Sequence, residues 1–143
     1  MKVLFVCTGN ICRSPMAEVI FRNLCEKHGR KDIEVRGAGT HAECLMTEEA
    51  KKALIKCGEK ISERIKSTQF EQRMIDEFNY IICMTRRHKD FIGHHESVMT
   101  LDEFTGCGDI FDPYGYPLNT YIKVCKELQT ALQVLYNKII KKE

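Results

Sequence analysis

Apolar positions along this chain follow two rhythms. Short apolar runs at residues 2–6 and 80–84, and the shorter mixed stretches at 33–36 and 97–101, read as strands. The first (Lys-Val-Leu-Phe-Val) and third (Tyr-Ile-Ile-Cys-Met) suit burial on both faces of a sheet. Between them the period changes to that of a helix. Pro15 opens one with Met16, Ala17, Val19, Ile20, Phe21 and Leu24, and Gly29 closes it. Thr47 starts a second, with Glu48 and Glu49 in its first turn, Ala50, Ala53, Leu54 and Cys57 on one face, and Gly58 at its end. Residues 70–78 read as a short helix and 85–92 as the start of another. Residues 37–39 and 102–117, rich in Gly, Pro and Asp, read as loops. Residues 118–142 form a long amphipathic helix with Tyr121, Val124, Cys125, Leu128, Leu132, Leu135 and Ile139 facing inward. Residues 138–143 make a lysine-rich, solvated end.

Strands and helices alternate from one end to the other. The pattern predicts an α/β fold of one domain spanning residues 1–143: three layers, with a four-stranded parallel sheet and helices on both faces. Ligands of such sheets sit beyond the carboxyl ends of the strands, which directs attention to the first strand-to-helix loop.

Composition narrows the function. A chain of 143 residues with 43% apolar and 29% charged residues can bury one sizeable core. A net charge of +2 argues for neither nucleic acid nor an anionic membrane as partner. No apolar run approaches the roughly 20 residues of a membrane span. The apolar start is too short for a secretory signal, so a cytoplasmic protein is expected. The eight cysteines are then not a disulfide framework. No Cys-x2-Cys pair exists and no His is spaced with Cys as a ligand, so no metal is expected. Cys25, Cys57, Cys83 and Cys125 fall in apolar patterns as small buried side chains.

The first loop carries the chemistry: Cys7-Thr8-Gly9-Asn10-Ile11-Cys12-Arg13-Ser14-Pro15. A helix begins at its end, so free backbone N–H groups and the positive end of the helix dipole face the loop. Gly9 and Asn10 tolerate the positive φ angles that curl successive N–H groups inward. Arg13 adds a planar fork of donors that matches phosphate oxygens. Together Thr8, Gly9, Asn10, Ile11, Cys12, Arg13 and Ser14 would cradle a phosphate dianion, with Cys7 at its mouth. The same positive field favours a thiolate, and a thiolate facing phosphorus is set for in-line attack. Ser14 can donate a hydrogen bond to the sulfur. Neither the ATP-type loop (G-x-x-x-x-G-K-S/T) nor a dinucleotide fingerprint is present.

Residues 6–18, Val-Cys-Thr-Gly-Asn-Ile-Cys-Arg-Ser-Pro-Met-Ala-Glu, resemble the signature of the low-molecular-weight protein-tyrosine phosphatases. The likeness in length and order of elements covers essentially the whole chain. It implies a cysteinyl-phosphate intermediate, no metal, no cofactor, a phosphorylated protein as substrate, and a monomer. A phosphate ester also needs a proton donor for its leaving oxygen and a base for the second step. Asp102, Asp109 and Asp112 are all placed for that by spacing. The likeness of Asp112-Pro113-Tyr114 to the family's Asp-Pro-aromatic motif assigns the role to Asp112, and Tyr114 to the flank of the substrate. A nucleophile that must be ionised and an acid that must be protonated imply a bell-shaped pH profile.

The chain departs from the family pattern in places. A serine usual near the end of the second strand is replaced by Gly37, a histidine after the second helix by Glu63 or Arg64, and an aspartate after the third strand by Thr85. The hydroxyl that would brace Asn10 is therefore missing. Residues 84–89 (Met-Thr-Arg-Arg-His-Lys) and Gly115 resemble a bacterial branch that includes protein arginine phosphatases. Those carry Thr at position 11. Ile11 instead favours an aromatic ring, so phosphotyrosine is the expected substrate and phosphoarginine the alternative. Cys12, beside Cys7, either closes a reversible disulfide with it or packs inward. A thiol-dependent arsenate reductase would need a further cysteine close after Cys83, and Cys107 is the next. A binding module without activity would not need Cys7, Arg13 and Asp112 together.

Overall fold

In a computed structural model, residues 1–142 are described. Four strands, β1 (Lys2–Cys7), β2 (Glu34–Gly39), β3 (Tyr80–Cys83) and β4 (Val98–Thr100), form one sheet in the order β2-β1-β3-β4. All three pairings are parallel. Six helices accompany them: α1 (Arg13–Lys27), α2 (Glu48–Lys56), α3 (Met74–Glu77), α4 (Arg86–Ile92), α5 (Leu101–Thr105) and α6 (Leu118–Lys141).

The pleat of β1 divides the core. Val3, Phe5 and Cys7 join one apolar cluster with α1, α2, α5 and α6. Leu4 and Val6 join a second, smaller cluster with Phe70, Met74, Phe78 and Ile92 on the opposite face. Alternate side chains point to opposite faces of a strand, so a continuous apolar run is what a strand covered on both sides requires. The inward face of α6 is the predicted one: Tyr121, Val124, Cys125, Leu128, Leu132, Leu135 and Ile139 are all buried.

Four local expectations change. Residues 37–39 are not a loop but the end of β2, with Gly37, Ala38 and Gly39 paired against Phe5, Val6 and Cys7. The expected helix over residues 70–78 shrinks to Met74–Glu77, although Phe70 and Phe78 still anchor its ends in the core. The fourth strand is shorter than residues 97–101, and α5 starts at Leu101 and runs into the expected 102–117 loop. The cause is local: the Thr100 side chain caps α5 by accepting from the backbone N–H of Glu103, with Asp102 and Glu103 favourable in the first turn. At the chain's end, Lys138 donates to the Phe104 carbonyl, tying α6 to α5, and residue 143 lies outside the described residues. No helix among the described residues is long and apolar enough to cross a membrane.

Candidate phosphate-binding site

β1 ends at Cys7 and α1 begins at Arg13, so residues 8–12 must turn within five positions at the carboxyl edge of the sheet. Asn10 makes the turn possible. It is the only non-glycine among the described residues with positive φ (54°), a conformation Asn tolerates better than most residues. Gly9, expected to share that conformation, does not adopt it. What the loop needs from a glycine lies across the sheet at Gly39. A Cβ there would stand 2.5 Å from the Thr8 carbonyl oxygen and 2.9 Å from the Asn10 nitrogen.

Asn10 is buried and fully engaged. Its Nδ2 donates to Ser14 Oγ at 2.6 Å, and its Oδ1 accepts from the Thr68 N–H at 2.9 Å. Its carbonyl accepts from the Ser67 hydroxyl at 2.8 Å. Residues 67–68 therefore brace the loop where a serine at position 37 was expected to be missed. The space above Gly37 is also taken: a Cβ there would sit 2.8 Å from Glu18 Oε1 and 2.9 Å from Asn10 Nδ2. Glu18 is buried and held by Arg22, which also donates to the Val35 carbonyl. Burial raises the Glu18 carboxyl above its ordinary range, against the opposing pull of Arg22.

The Cys7 sulfur lies 3.0 Å from Ser14 Oγ and 3.5 Å from the Ser14 backbone nitrogen. Ser14 Oγ accepts from Asn10, and its own hydrogen lies between two acceptors, the sulfur at 3.0 Å and the Ala38 carbonyl at 3.4 Å. Arg13 is buried. Its Nη1 donates to the Ile110 carbonyl at 3.1 Å, its Nη2 lies 3.4 Å from Thr8 Oγ1 and 3.6 Å from Asp112 Oδ2. Asp112 is half exposed, and its Oδ1 accepts from the Tyr114 N–H at 3.1 Å, which shapes the Asp-Pro turn. Asp102 and Asp109 are spent elsewhere, capping Gly108 and Arg86 through their Oδ1 atoms.

These groups surround a pocket of about 100 Å³ lined by Cys7, Thr8, Gly9, Ile11, Cys12, Arg13, Glu43, Asp112 and Tyr114. A larger groove of about 840 Å³ between α1 and α6 gathers no nucleophile. Cys12 is anchored inward: its sulfur lies 3.4 Å from the Tyr121 hydroxyl and 3.7 Å from Thr47 Oγ1. Burial pushes this thiol up, away from the thiolate form. Of the residues expected in the cradle, Thr8, Gly9, Ile11, Cys12 and Arg13 line this pocket, while Asn10 and Ser14 are buried outside its lining, and Tyr114 is exposed at its rim. Sequence reasoning missed Glu43, the brace at residues 67–68, and His88, a buried ring 2.9 Å from the Thr8 hydroxyl. Only His88 left a local signal, the Thr85-x-x-His88 spacing of a capping box at the start of α4.

The match to known proteins covers the same span. A family model described as low molecular weight phosphotyrosine protein phosphatase fits residues 2–143. A protein-arginine-phosphatase of Bacillus subtilis is 33% identical over 99% of this chain and 98% of its own. The low molecular weight protein-tyrosine-phosphatase PtpB of Staphylococcus aureus is 32% identical over 92% and 94%. A crystal structure of a low molecular weight protein tyrosine phosphatase from T. tengcongensis superposes with a TM-score of 0.88 at 36% identity, covering 96% of this chain and 99% of that one. The two substrate names among these relatives share one fold and one length of chain, and this chain belongs to the low molecular weight phosphotyrosine protein phosphatases, a family of phosphatase hydrolases.

Proposed function

We propose that this phosphatase hydrolyses phosphotyrosine in proteins through a cysteinyl-phosphate intermediate. The carrying observation is the Cys7 sulfur, sunk at the floor of the pocket with Ser14 donors on it and the Arg13 fork beside Asp112. The phosphoryl group rests on the loop N–H groups and Arg13. The Cys7 thiolate attacks phosphorus as the ester P–O bond breaks, and Asp112 gives its proton to the departing phenol oxygen. Asp112 then takes a proton from water, the water oxygen attacks phosphorus, and the S–P bond breaks. Inorganic phosphate leaves, and the Ser14 hydroxyl steadies the returning thiolate.

Depth supports a long side chain as substrate. Cys7 is only 2% exposed, so a phosphoserine is too short to bring its phosphorus to the sulfur, whereas an aromatic ring spans the pocket between Ile11 and Tyr114. Ile11 offers that ring an apolar wall and no hydrogen bond. A second reading, phosphoarginine, is favoured by the carboxylates of Glu43 and Asp112 at the mouth, which suit a guanidinium, and by the name of the B. subtilis relative.

Rates on a phosphotyrosine peptide and a phosphoarginine peptide, measured side by side, separate the two. Faster phosphotyrosine turnover is expected, with Ile11→Thr moving the ratio toward phosphoarginine. Faster phosphoarginine turnover by the unmodified protein overturns the choice. Cys7→Ser should remove hydrolysis of both, and of p-nitrophenyl phosphate.

A further inference from the structure

The Thr8 hydroxyl lies where the phosphate loop meets α4, and its partners are settled by hydrogen-bond bookkeeping. Its oxygen is 2.9 Å from His88 Nε2 and 3.4 Å from Arg13 Nη2. His88 is 3% exposed, and the reaction described above makes no use of it. The other ring nitrogen decides the tautomer. Nδ1 faces two groups of Thr85: the hydroxyl at 3.0 Å, which itself accepts from the His88 backbone N–H, and the backbone N–H at 3.2 Å, which can only donate, so Nδ1 presents a lone pair. A neutral imidazole carries one proton, and here it must sit on Nε2. Nε2–H therefore donates to Thr8 Oγ1. Arg13 has only donors, so it donates to the same oxygen. The Thr8 oxygen accepts twice, and its single hydrogen is left for a third partner. Thr8 is exposed and lines the pocket with Cys7, Arg13 and Asp112, where the open partner is the substrate.

We propose that His88 is a positioning residue: its Nε2–H fixes the polarity of the Thr8 hydroxyl, so that Thr8 donates its hydrogen to a non-bridging oxygen of the phosphoryl group at Cys7. This rests on the reading of Cys7 as nucleophile. The arrangement needs a neutral ring. The charged groups around it are Arg13, Arg87, Asp109 and Asp112, and burial, then Arg13, hold the ring well below the ordinary histidine range, at about 4. A donor aimed in advance at oxygens that gain charge in the transition state lowers the barrier without reorganisation during the step.

Two substitutions divide the ring's two bonds. In His88→Gln the amide nitrogen takes the place of Nε2 and keeps the donor to Thr8, while the acceptor for Thr85 is lost. In His88→Asn the amide oxygen takes the place of Nδ1 and keeps the Thr85 cap, while the donor to Thr8 is lost. With p-nitrophenyl phosphate, H88N should lower kcat about 100-fold to 1000-fold, the range for a lost transition-state donor, and H88Q about 3-fold or less. Melting temperatures should run in the opposite order, because H88Q loses the helix cap. Thr8→Val should cost as much as H88N, and the double variant no more than either. H88N as active as the unmodified protein, activity and melting temperature falling in the same order, or additive losses would each overturn the proposal. Independently of any variant, a long-range 1H–15N spectrum should show the Nε2–H tautomer with no titration near pH 6.5. An Nδ1–H tautomer, or an ordinary titration, sinks it. Loss of activity in Cys7→Ser tests the underlying reading separately, since the tautomer does not depend on it.

Discussion

The side chain of Asp112 faces two ways: one oxygen holds the Tyr114 N–H and the other points to Arg13. Removing it leaves the cradle intact, so substrate binding should survive while protonation of the leaving group fails. Asp112→Ala is expected to lower kcat on aryl phosphates of poor leaving groups by about 100-fold, and less as the leaving group improves, in line with the 10²–10⁴-fold scale of general acid catalysis. A steady-state series across phenols of graded acidity checks this. His88 gives a different test. Its ring is held at about 4 when folded, against an ordinary 6.5 when unfolded. As pH falls, the unfolded chain takes up this proton first. The stability tied to the neutral ring is complete above 6.5 and is lost as pH falls toward 4. The loss should reach about 3 kcal/mol, from about 1.4 kcal/mol per pKa unit. The measurement is the difference in urea unfolding free energy between the unmodified protein and H88Q, at pH 7 and at pH 4.5. That difference should shrink at the lower pH. At this scale the sequence was most legible where chemistry is contiguous: Cys7, Arg13 and Ser14 sit within one turn of one loop. The partners of Asn10 and Thr8 were hidden, because Thr68 is 58 positions from Asn10 and His88 is 80 from Thr8.

Among the elements, β2 shows best how a strand can shape a loop it does not belong to. Its end, Gly37-Ala38-Gly39, has the composition of a turn, and local propensity reads it as one. Register overrides that reading, because the backbone of residues 8–10 passes so close to Gly39 that no side chain fits. Gly39→Ala should therefore push directly on the Thr8 carbonyl and Asn10 nitrogen. The expected cost is about 2 kcal/mol in chemical unfolding, of the size seen for overpacking, together with a clear loss in kcat/KM from a displaced cradle. The same override explains α5: a Thr cap followed by acidic residues was present at residues 100–103, inside a stretch whose glycines and prolines spoke louder.

Across the whole molecule, two apolar clusters of unequal size press on one sheet. The larger lies under α1 and α6 and reaches the pocket at Cys7 and Cys12. Leu132, fully buried on α6, can be truncated there without touching the site. Leu132→Ala is expected to cost about 3 kcal/mol in urea unfolding while leaving kcat/KM within about twofold, since the loss is that of a core cavity. The α/β class, the four parallel strands and the inward face of α6 were all legible in the periodicity, because burial imposes those periods directly. The order β2-β1-β3-β4 was not, since the periods say which residues are buried and not which strands are neighbours. That order matters for how the protein is made. β1 precedes both of its neighbours along the chain, and its partners in β3 lie 77 positions downstream. Asp112 and Tyr121, which complete the pocket and pin Cys12, follow later still. Pairings so distant along the chain form only after the intervening residues exist. A chain in synthesis therefore carries Cys7 on an unpaired segment until β3, Asp112 and Tyr121 have all emerged, and the pocket is assembled only then.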